Sequence, residues 1–447
     1  MTFSIKDSNL EGEVRRWEAA GIIDAIEKLR EQFQSQEVQL LHLNNYAKAD
    51  VIDCPLWYNV EQVEPWGKGS RPIVTSARFF SSHYIGSYCS NNTRIEILPR
   101  FGEDVFNHIL GYACNLYIPK GYSSYALSGR NNDWLIGVIW KALLDRALAK
   151  GQIPKGYNTI TENLNHYRGH LNIQRHIKAN LVDESRFFCT YRKLTMDITI
   201  NRAIRYTYKI LQEKGLGDVL KDLSTYDSRL ASFGVSDEAI NLSELDSIAY
   251  SSLNDIYRPV MRMSRAIISN SSAESNSEGN KSGISYFLDV AELWELYLIK
   301  VLQKGLGSDY RVYSPNSLGG SFLLDDRIRP LRPDIIIERD GKIVMIIDAK
   351  YKRYNEFGVT SDAGVSREDL YQMNSYIYHL GNPNEPIIGL FTSPASPKQK
   401  QDIHSYSHNK KHRVGLVNLN LDDAQNYADI KRNEGEYISI IRSLIES

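Results

Sequence analysis

The chain is poor in cysteine, with four among 447 residues: Cys54, Cys89, Cys114 and Cys189. Their spacing forms none of the pairs that structural zinc sites use, and disulfide scaffolds are far denser in cysteine. The sequence therefore predicts a protein of a reducing compartment without a structural zinc site. It also lacks a signal peptide and any apolar run long enough to cross a bilayer, so we expect a cytoplasmic protein without a membrane partner.

An excess of charge is also missing. Lysine and arginine number 53, aspartate and glutamate 54, and the formal net charge is −1. DNA binding would therefore need a local basic surface or help from another chain. A phosphate-binding loop is absent as well, because residues 67–70 lack the upstream glycine and residues 279–282 break the pattern. We expect the chain not to hydrolyse nucleotides by itself.

What is present is an ordinary globular composition, 42% hydrophobic and 24% charged, over a length that suits two or three domains. A charged helical start is predicted over 1–35. Short apolar runs broken by Gly, Asn and Ser over about 37–101 predict a β-rich domain over 1–150, and helical patterns predict a helical middle domain over 151–268. The Ser- and Asn-rich stretch 269–283 is typical of a flexible linker. Residues 284–447 alternate helices and strands, which indicates a mixed sheet flanked by helices. The expected fold class is α/β, or α+β for the whole chain.

The most informative segment is a hairpin pattern over residues 332–351. Two apolar strands flank an Asp340-Gly341 turn, with Asp334 early on the first strand and Asp348 and Lys350 late on the second. The repulsion energy between two carboxylates 4 Å apart is roughly 4 kcal/mol in a medium of intermediate dielectric. Mg²⁺, a hard cation that prefers oxygen ligands, would compensate them, with Mn²⁺ as an alternative.

The register of this hairpin sets a condition. With a strict two-residue turn at Asp340-Gly341, Asp334 would pair with Ile347, and Asp334 and Asp348 would face opposite sides of the sheet. A shared metal site therefore requires a three-residue turn or a β-bulge, either of which Gly341 permits.

Pro333-Asp334 followed by Asp348-Ala349-Lys350 resembles the signature of the PD-(D/E)xK nuclease superfamily, whose fold is a restriction-endonuclease-like mixed sheet. The resemblance implies that Asp334 and Asp348 bind the metal and that Lys350 acts on the attacking water or the scissile phosphate. An acidic residue on the preceding helix, predicted over 284–306, would be a third metal ligand. Glu295 is our choice for it, and Glu292 on the same helical stripe stays an alternative.

The helix after the hairpin carries Gln372 and Tyr376 four residues apart, and so on one face. This Gln-x-x-x-Tyr element is similar to one in the RecB-like branch of the superfamily, which implies that the two side chains orient DNA or the lysine. The competing interpretations are an amphipathic packing face for Gln372 and Tyr376 and a solvated or paired helix charge for Glu295.

Upstream segments resemble McrC, the nuclease subunit of McrBC-type restriction systems. They are residues 84–101, with a Pro-basic-Phe end, residues 167–181, with an Arg-Gly segment, and residues 191–202, with an Asp-x-x-x-Asn-Arg element. The resemblance implies a partner, an McrB-like AAA+ GTPase ring that binds the GTP, and a substrate of double-stranded DNA carrying modified cytosine. Residues 1–80 match weakly.

Three functions stay open at this point. The leading hypothesis is a metal-dependent DNA endonuclease subunit that acts with the GTPase and stimulates its hydrolysis. The second is a non-catalytic assembly and activation module for that motor, and the third is a stand-alone RecB-like repair nuclease. The basic run of Arg168, His170, Arg175, His176 and Lys178 is typical of a solvated or partner-contacting face, with phosphate contact as the alternative.

Overall fold

The structure is a computed structural model that describes the following residues: 1–16, 18–34, 38–41, 54–64, 73–90, 93–114, 133–183, 185–276, 286–315, 321–324, 328–351, 359, 364–395 and 402–447. It divides into two compact units. The first consists of Met1–Asn132 together with Gly283–Ser447, and the second consists of Asp133–Ser282. Among the described residues, no helix combines the length and apolar character that a membrane crossing requires.

The N-terminal part of the first unit is rich in strands. Its elements are β1 (Thr2–Lys6), β2 (Glu13–Arg16), α1 (Ala19–Gln34), β3 (Gln39–Leu41), β4 (Leu56–Glu64), β5 (Ile73–Ser81), β6 (Tyr84–Ser90), β7 (Thr93–Leu98) and α2 (Glu103–Cys114). A helical start was expected for residues 1–35, but two strands come before α1. The strand β1 forms because polar and apolar residues alternate, so that Phe3 and Ile5 are both buried in the core beneath α1.

The second unit combines helices with a small antiparallel sheet. Its elements are α3 (Asp133–Lys150), β8 (Gly156–Leu164), β9 (His170–Leu171), α4 (Ile173–Asn180), β10 (Phe187–Thr195), α5 (Thr199–Glu213), α6 (Ser224–Ser232), α7 (Leu242–Asp246) and α8 (Arg258–Asn276). The sheet order is β8-β10-β9. Strands therefore interrupt the middle region 151–268, which was predicted to be helical, because β10 is an aromatic- and β-branched-rich segment that pairs along its whole length with β8.

Part of the predicted linker 269–283 is helical. Helix α8 continues to Asn276, and residues 277–283 lie outside the described part of the chain. Polar residues such as Ser and Asn at the end of a helix do not by themselves stop it when the preceding apolar face is buried.

The C-terminal part of the first unit has the predicted mixed sheet. Its elements are β11 (Tyr286–Asp289), α9 (Val290–Leu306), β12 (Tyr310–Tyr313), β13 (Ser321–Leu324), β14 (Ile328–Leu331), β15 (Ile335–Arg339), β16 (Lys342–Ala349), α10 (Arg367–Leu380), β17 (Ile388–Thr392), β18 (Asp402–Ser405), β19 (Arg413–Leu416) and α11 (Tyr427–Glu446). The sheet order is β12-β15-β16-β17-β19-β18, with β16, β17 and β19 parallel and the other pairs antiparallel. The predicted mixed α/β fold is confirmed.

Strand β11, from the C-terminal part of the first unit, pairs with strands of the N-terminal part. It lies between β6 and β3 in the sheet of order β1-β7-β6-β11-β3, antiparallel to β6 and parallel to β3. The predicted helix over 284–306 therefore begins only at Val290, where the Asp289 side chain accepts hydrogen bonds from the amides of Ala291 and Glu292. The predicted division between 1–150 and 284–447 differs from this arrangement, because a strand of the later segment completes the sheet of the earlier one.

Candidate active site

The hairpin of β15 and β16 contains the β-bulge that a shared metal site requires. Asp340 and Gly341 both have positive φ angles, 52° and 74°, which is the conformation of a two-residue type I′ turn. Pairing starts at Arg339 with Lys342 and then shifts, so that Glu338 opposes Ile343 but Ile337 opposes Met345. Val344 is the extra residue, and from there onward Ile335 pairs with Ile347.

The bulge brings Asp334 and Asp348 to the same corner of the sheet. In the shifted register the next position after the Ile335–Ile347 pair places Asp334 opposite Asp348. The Asp334 Oδ2 accepts a hydrogen bond of 2.8 Å from the Ala349 amide. Asp348 is only 5% exposed, and Asp334 is half-buried. The condition derived from the sequence is met by a bulge and not by a longer turn.

Lys350 is held between two carboxylates. Its Nζ lies 3.0 Å from Asp348 Oδ2 and 2.9 Å from Asp369 Oδ1, and its backbone amide donates to the Thr392 carbonyl at 2.9 Å. Burial alone would lower the pKa of Lys350, but the carboxylates of Asp348 and Asp369 raise it above the usual lysine value. The side chain is therefore a cation at neutral pH and does not serve as a general base in this arrangement.

Asp369 is a site residue outside the motifs that the sequence presents, the hairpin pattern and the Gln-x-x-x-Tyr element. It lies in the first turn of α10, where its amide is capped by the Ser366 Oγ at 3.1 Å. A signal was available, because Asp369, Gln372 and Tyr376 are spaced three and four apart and so share one helical face. The carboxylate partner of Lys350 on this helix was missed because the two residues are 19 positions apart in the sequence.

Tyr376 belongs to the same corner, whereas Gln372 lies at the surface. The Tyr376 hydroxyl donates to the Arg332 carbonyl at 3.1 Å, two residues before Asp334. Burial raises the pKa of Tyr376, and the negative charges of Asp348 and Asp334 raise it further. The phenol is therefore protonated and close to both carboxylates. Gln372 is exposed, and its role stays a prediction.

The acidic residues of α9 stay predictions as well. Glu292 is buried, at 8% exposure, and Glu295 is half-buried. Across the described part of the chain, no three His, Cys, Asp or Glu side chains are grouped so that they could hold one metal ion together. The structure thus does not gather Glu295 or Glu292 into a three-ligand set with Asp334 and Asp348.

The donor set of Asp334 and Asp348 nevertheless fits a magnesium ion. Mg²⁺ is commonly held by one or two carboxylates, with water and substrate phosphates as its remaining ligands. Asp348 and Asp369 pair with the ammonium of Lys350, and the Asp334 carboxylate lies at the neighbouring Ala349 amide. These three carboxylates and one ammonium together carry a formal charge of −2. A divalent cation would neutralise that charge, which is the compensation expected for partly buried carboxylates.

In the second unit, the Asp-x-x-x-Asn-Arg element has a structural explanation. The buried Asn201 amide donates to the carbonyls of Pro154 and Met196 at 2.9 and 2.7 Å, and Arg202 forms a two-pronged ion pair with Asp197. These contacts fix the start of α5.

The basic run of the second unit is largely at the surface. Arg168, His170, Arg175 and Lys178 are exposed, and His176 is half-buried. This placement is the one expected of a solvated or partner-contacting face, and phosphate contact remains an untested alternative.

Comparisons with known proteins find a matching family model and similar solved structures. The family model described as "McrBC 5-methylcytosine restriction system component" matches residues 81–388, a range that includes the hairpin and α10. Among solved structures, a chain of the Thermococcus gammatolerans half-complex from a tetradecameric assembly of McrB AAA+ hexamers with bound McrC is 17% identical. The match covers 99% of this chain and 100% of that chain, with a TM-score of 0.50, which shows a common fold.

A chain from the cryo-EM structure of the Thermococcus gammatolerans McrBC complex is 19% identical over 69% of this chain and 89% of its own length, with a TM-score of 0.34. No curated protein sequence gives a significant match.

Proposed function

The chain belongs to the family of McrBC 5-methylcytosine restriction system components, and we propose that it is the nuclease subunit of such a system. Its reaction is the metal-dependent hydrolysis of phosphodiester bonds in double-stranded DNA that carries modified cytosine. It acts in the cytoplasm with an McrB-like AAA+ GTPase, which binds the GTP and whose hydrolysis it stimulates. The solved structure with the common fold is described as McrB hexamers with bound McrC, which supports this partner.

One observation carries the proposal: residues far apart in the sequence converge on the corner where the hairpin ends. Asp334 reaches the Ala349 amide across the bulged hairpin, and Lys350 bridges Asp348 and Asp369. A chance Asp-x-Lys pattern in a surface hairpin would not bring Asp334 to the residue before the lysine and a helix carboxylate to its ammonium. Partly buried acids beside a cation, at the ends of two inner strands of a mixed sheet, are what metal-dependent phosphodiester hydrolysis needs.

The carboxylates of Asp334 and Asp348 would hold Mg²⁺ or Mn²⁺. The third ligand that the family resemblance implies, Glu295 or its alternative Glu292, stays a prediction. When bound, the ion supplies Lewis-acid stabilisation of the charge that develops on the phosphate. Lys350, fixed as a cation, adds positive charge beside the same phosphate and orients the attacking water.

The residues of α10 support this arrangement. Tyr376 holds the Arg332 carbonyl and thereby the start of the Pro333-Asp334 segment. Its protonated hydroxyl is a hydrogen-bond donor and not a base. Gln372 is exposed on the same helix, and its proposed role is to orient the DNA by contacting its backbone.

The proposal is tested with the full chain, the McrB-like GTPase and DNA containing 5-methylcytosine. We expect cleavage with GTP and Mg²⁺, none after chelation with EDTA, and restoration by added Mn²⁺. Unmethylated DNA of the same sequence is the substrate control. Cleavage that survives chelation would contradict a metal-dependent mechanism, and strong cleavage without the GTPase would favour a stand-alone RecB-like nuclease.

A non-catalytic assembly module is the second candidate. Two observations favour it: Lys350 is fully engaged by Asp348 and Asp369, and no group of three potential ligands exists among the described residues. The full chain distinguishes the two candidates by thermal unfolding with Mg²⁺ or Mn²⁺, with and without DNA. A metal-dependent stabilisation that Asp334→Asn abolishes supports the nuclease, whereas no shift under any of these conditions supports the scaffold.

A further inference from the structure

A second buried cluster with charged residues lies in the first unit, next to Lys350. It consists of Asp7, after β1, Arg100, after β7, and Tyr351, which directly follows Lys350. The three residues are 1%, 8% and 5% exposed. Charges so far from water are costly unless specific contacts compensate them. The cluster is not part of the metal-binding set, and so its contacts need a separate explanation.

Arg100 is the centre of this cluster. Its backbone amide donates to Asp7 Oδ1 at 2.5 Å, and its Nη2 donates to the Tyr351 carbonyl at 2.6 Å. The guanidinium also lies over two rings, 4.2 Å from the Tyr351 centroid and 4.6 Å from that of Phe101. Arginine suits this position because its planar guanidinium can stack on aromatic rings while its N–H groups donate hydrogen bonds within the guanidinium plane. Arg100 thus holds Tyr351 by its carbonyl and by its ring.

These contacts fix the backbone on one side of Lys350. On the other side, the Lys350 amide donates to the Thr392 carbonyl at 2.9 Å. A lysine side chain is flexible and costs about 2 kcal/mol of rotamer entropy to immobilise. Its ammonium stays between Asp348 and Asp369 only if its backbone is held in place. The Arg100–Tyr351 bond and the Lys350–Thr392 bond together provide that restraint.

We propose that Arg100, held by Asp7, is a positioning residue for Lys350: it anchors the Tyr351 backbone so that the lysine stays between its two carboxylates. Arg100 itself does not touch the reacting phosphate. The inference extends the proposed function, since the importance of Lys350 for cleavage belongs to that proposal. It also gives the strands β1 and β7, far from the hairpin in the sequence, a direct role in the geometry of the site.

The test measures Lys350 itself and does not depend on cleavage. The full chain is treated with a limiting amount of acetic anhydride, and the labelling of each lysine is followed by peptide mass spectrometry. In Arg100→Gln we expect Lys350 to react roughly tenfold faster than in the wild type, because its ion pairs open more often. Lys141, a buried lysine paired with Asp145 in the second unit, should react at an unchanged rate in the same digest. Arg100→Lys keeps the cation but loses the planar guanidinium, and should restore only part of the protection.

The matched control is Arg205→Gln. Arg205 also bonds a carboxylate, that of Asp227, and a backbone carbonyl, that of Val235, but in the second unit. Its loss should lower the melting temperature without changing the labelling of Lys350. If Arg100→Gln leaves Lys350 as protected as in the wild type, the positioning role is overturned.

Two further measurements keep the test decisive. If Arg100→Gln is insoluble, Asp7→Asn replaces it, with an expected rise in Lys350 labelling of roughly threefold, and an unchanged rate overturns the proposal. In the complex with the GTPase, Arg100→Gln should lower kcat for DNA cleavage with KM unchanged. If the wild-type complex cuts no DNA, the proposed function fails, but the labelling result still decides whether Arg100 positions Lys350.

Discussion

The carboxylate of Asp334 accepts a hydrogen bond of 2.8 Å from the amide of Ala349, fifteen residues later in the chain. The bond closes the open end of the hairpin formed by β15 and β16. It exists because Val344 is an extra residue in β16, which shifts the register between the turn and the site. A metal site shared by Asp334 and Asp348 therefore depends on the bulged residue Val344, which is not itself one of the proposed metal ligands.

Deletion of Val344 tests this dependence. Without the extra residue, a strict register would pair Asp334 with Ile347 and turn the two carboxylates to opposite faces. We expect the deletion variant to lose both DNA cleavage and any Mn²⁺-dependent rise in melting temperature. Val344→Ala keeps the register and should retain both. A deletion variant that still binds Mn²⁺ and cuts DNA would show that the bulge is not needed.

Lys350→Met should be inactive and less stable. Loss of the cation leaves Asp348 and Asp369 facing each other, which we expect to cost about 3 kcal/mol of the free energy of unfolding at pH 7. Cleavage should fall by about two orders of magnitude, because the charge beside the phosphate is lost. Urea unfolding and single-turnover cleavage provide the two measurements. Lys342→Met removes an exposed lysine that pairs with the half-buried Glu385, and should leave both stability and cleavage close to those of the wild type.

The stability effect of Lys350 should depend on pH in a defined direction. The pKa of Lys350 is raised in the folded protein by the two carboxylates. Its contribution is therefore fully present below the usual lysine value of 10.5 and is lost only as the pH rises through the raised value. The difference between wild type and Lys350→Met should stay constant from pH 7 to pH 9. A difference that disappears within this window would mean that the pKa is lowered.

Asp369→Asn should impair cleavage without unfolding the protein. Asn keeps the shape of the side chain but removes one of the two charges that hold the Lys350 ammonium. We expect kcat to fall roughly tenfold, with KM for DNA little changed. The control is Glu368→Gln, a change at the exposed neighbour in the same helical turn. If Asp369→Asn and Glu368→Gln lower kcat equally, the negative charge of the first helical turn, and not the contact of Asp369 with Lys350, is responsible.

Glu434 should stabilise the first unit in a pH-dependent way. Its carboxylate is bonded by His108 at 2.9 Å, Tyr297 at 2.7 Å and Lys431 at 2.6 Å, which links α2, α9 and α11. Burial alone would raise the pKa of Glu434, but these donors lower it below the usual value. The stabilisation is therefore present above pH 4.5 and is lost as the pH falls through the lowered value.

Glu434→Gln should accordingly lower the free energy of unfolding at pH 7 by about 2 kcal/mol. The gap to the wild type should narrow as the pH falls from 4.5 through the lowered pKa of Glu434. Glu436→Gln, at an exposed position of the same helix, serves as the control and should show no such gap. Denaturant titrations in steps from pH 7 down to the acid limit of the folded protein provide the comparison.

Local features of the site were predictable from the sequence, and long-range ones were not. The Asp340-Gly341 turn, the strand pattern and the need for either a longer turn or a bulge follow from neighbouring residues and from counting along the strands. That Val344 is the bulged residue depends on how β16 packs in the sheet. Asp369 was missed because its partner, Lys350, becomes a neighbour only when α10 packs on the sheet.

The same limit explains the errors in the fold. The apolar run starting at Tyr286 is compatible with a buried strand or a buried helix, and only its pairing with β6 and β3 decides between them. Strands β8 and β10 were predicted to be helical for a related reason. Neither alternates polar and apolar residues along its whole length, and the two strands pair with each other across more than 20 residues of sequence. Pairings at that distance carry no short-range signal.

We propose that the Asp334–Asp348 site is the nuclease centre of a GTPase-driven complex. The most direct measurement compares DNA cleavage and GTPase stimulation by Asp348→Ala in that complex, with Glu338→Gln, at the far end of β15, as the control. We predict that Asp348→Ala abolishes cleavage while GTPase stimulation stays at the wild-type level, and that Glu338→Gln changes neither. Cleavage by Asp348→Ala at the wild-type rate, with contaminating nuclease excluded, would contradict the account.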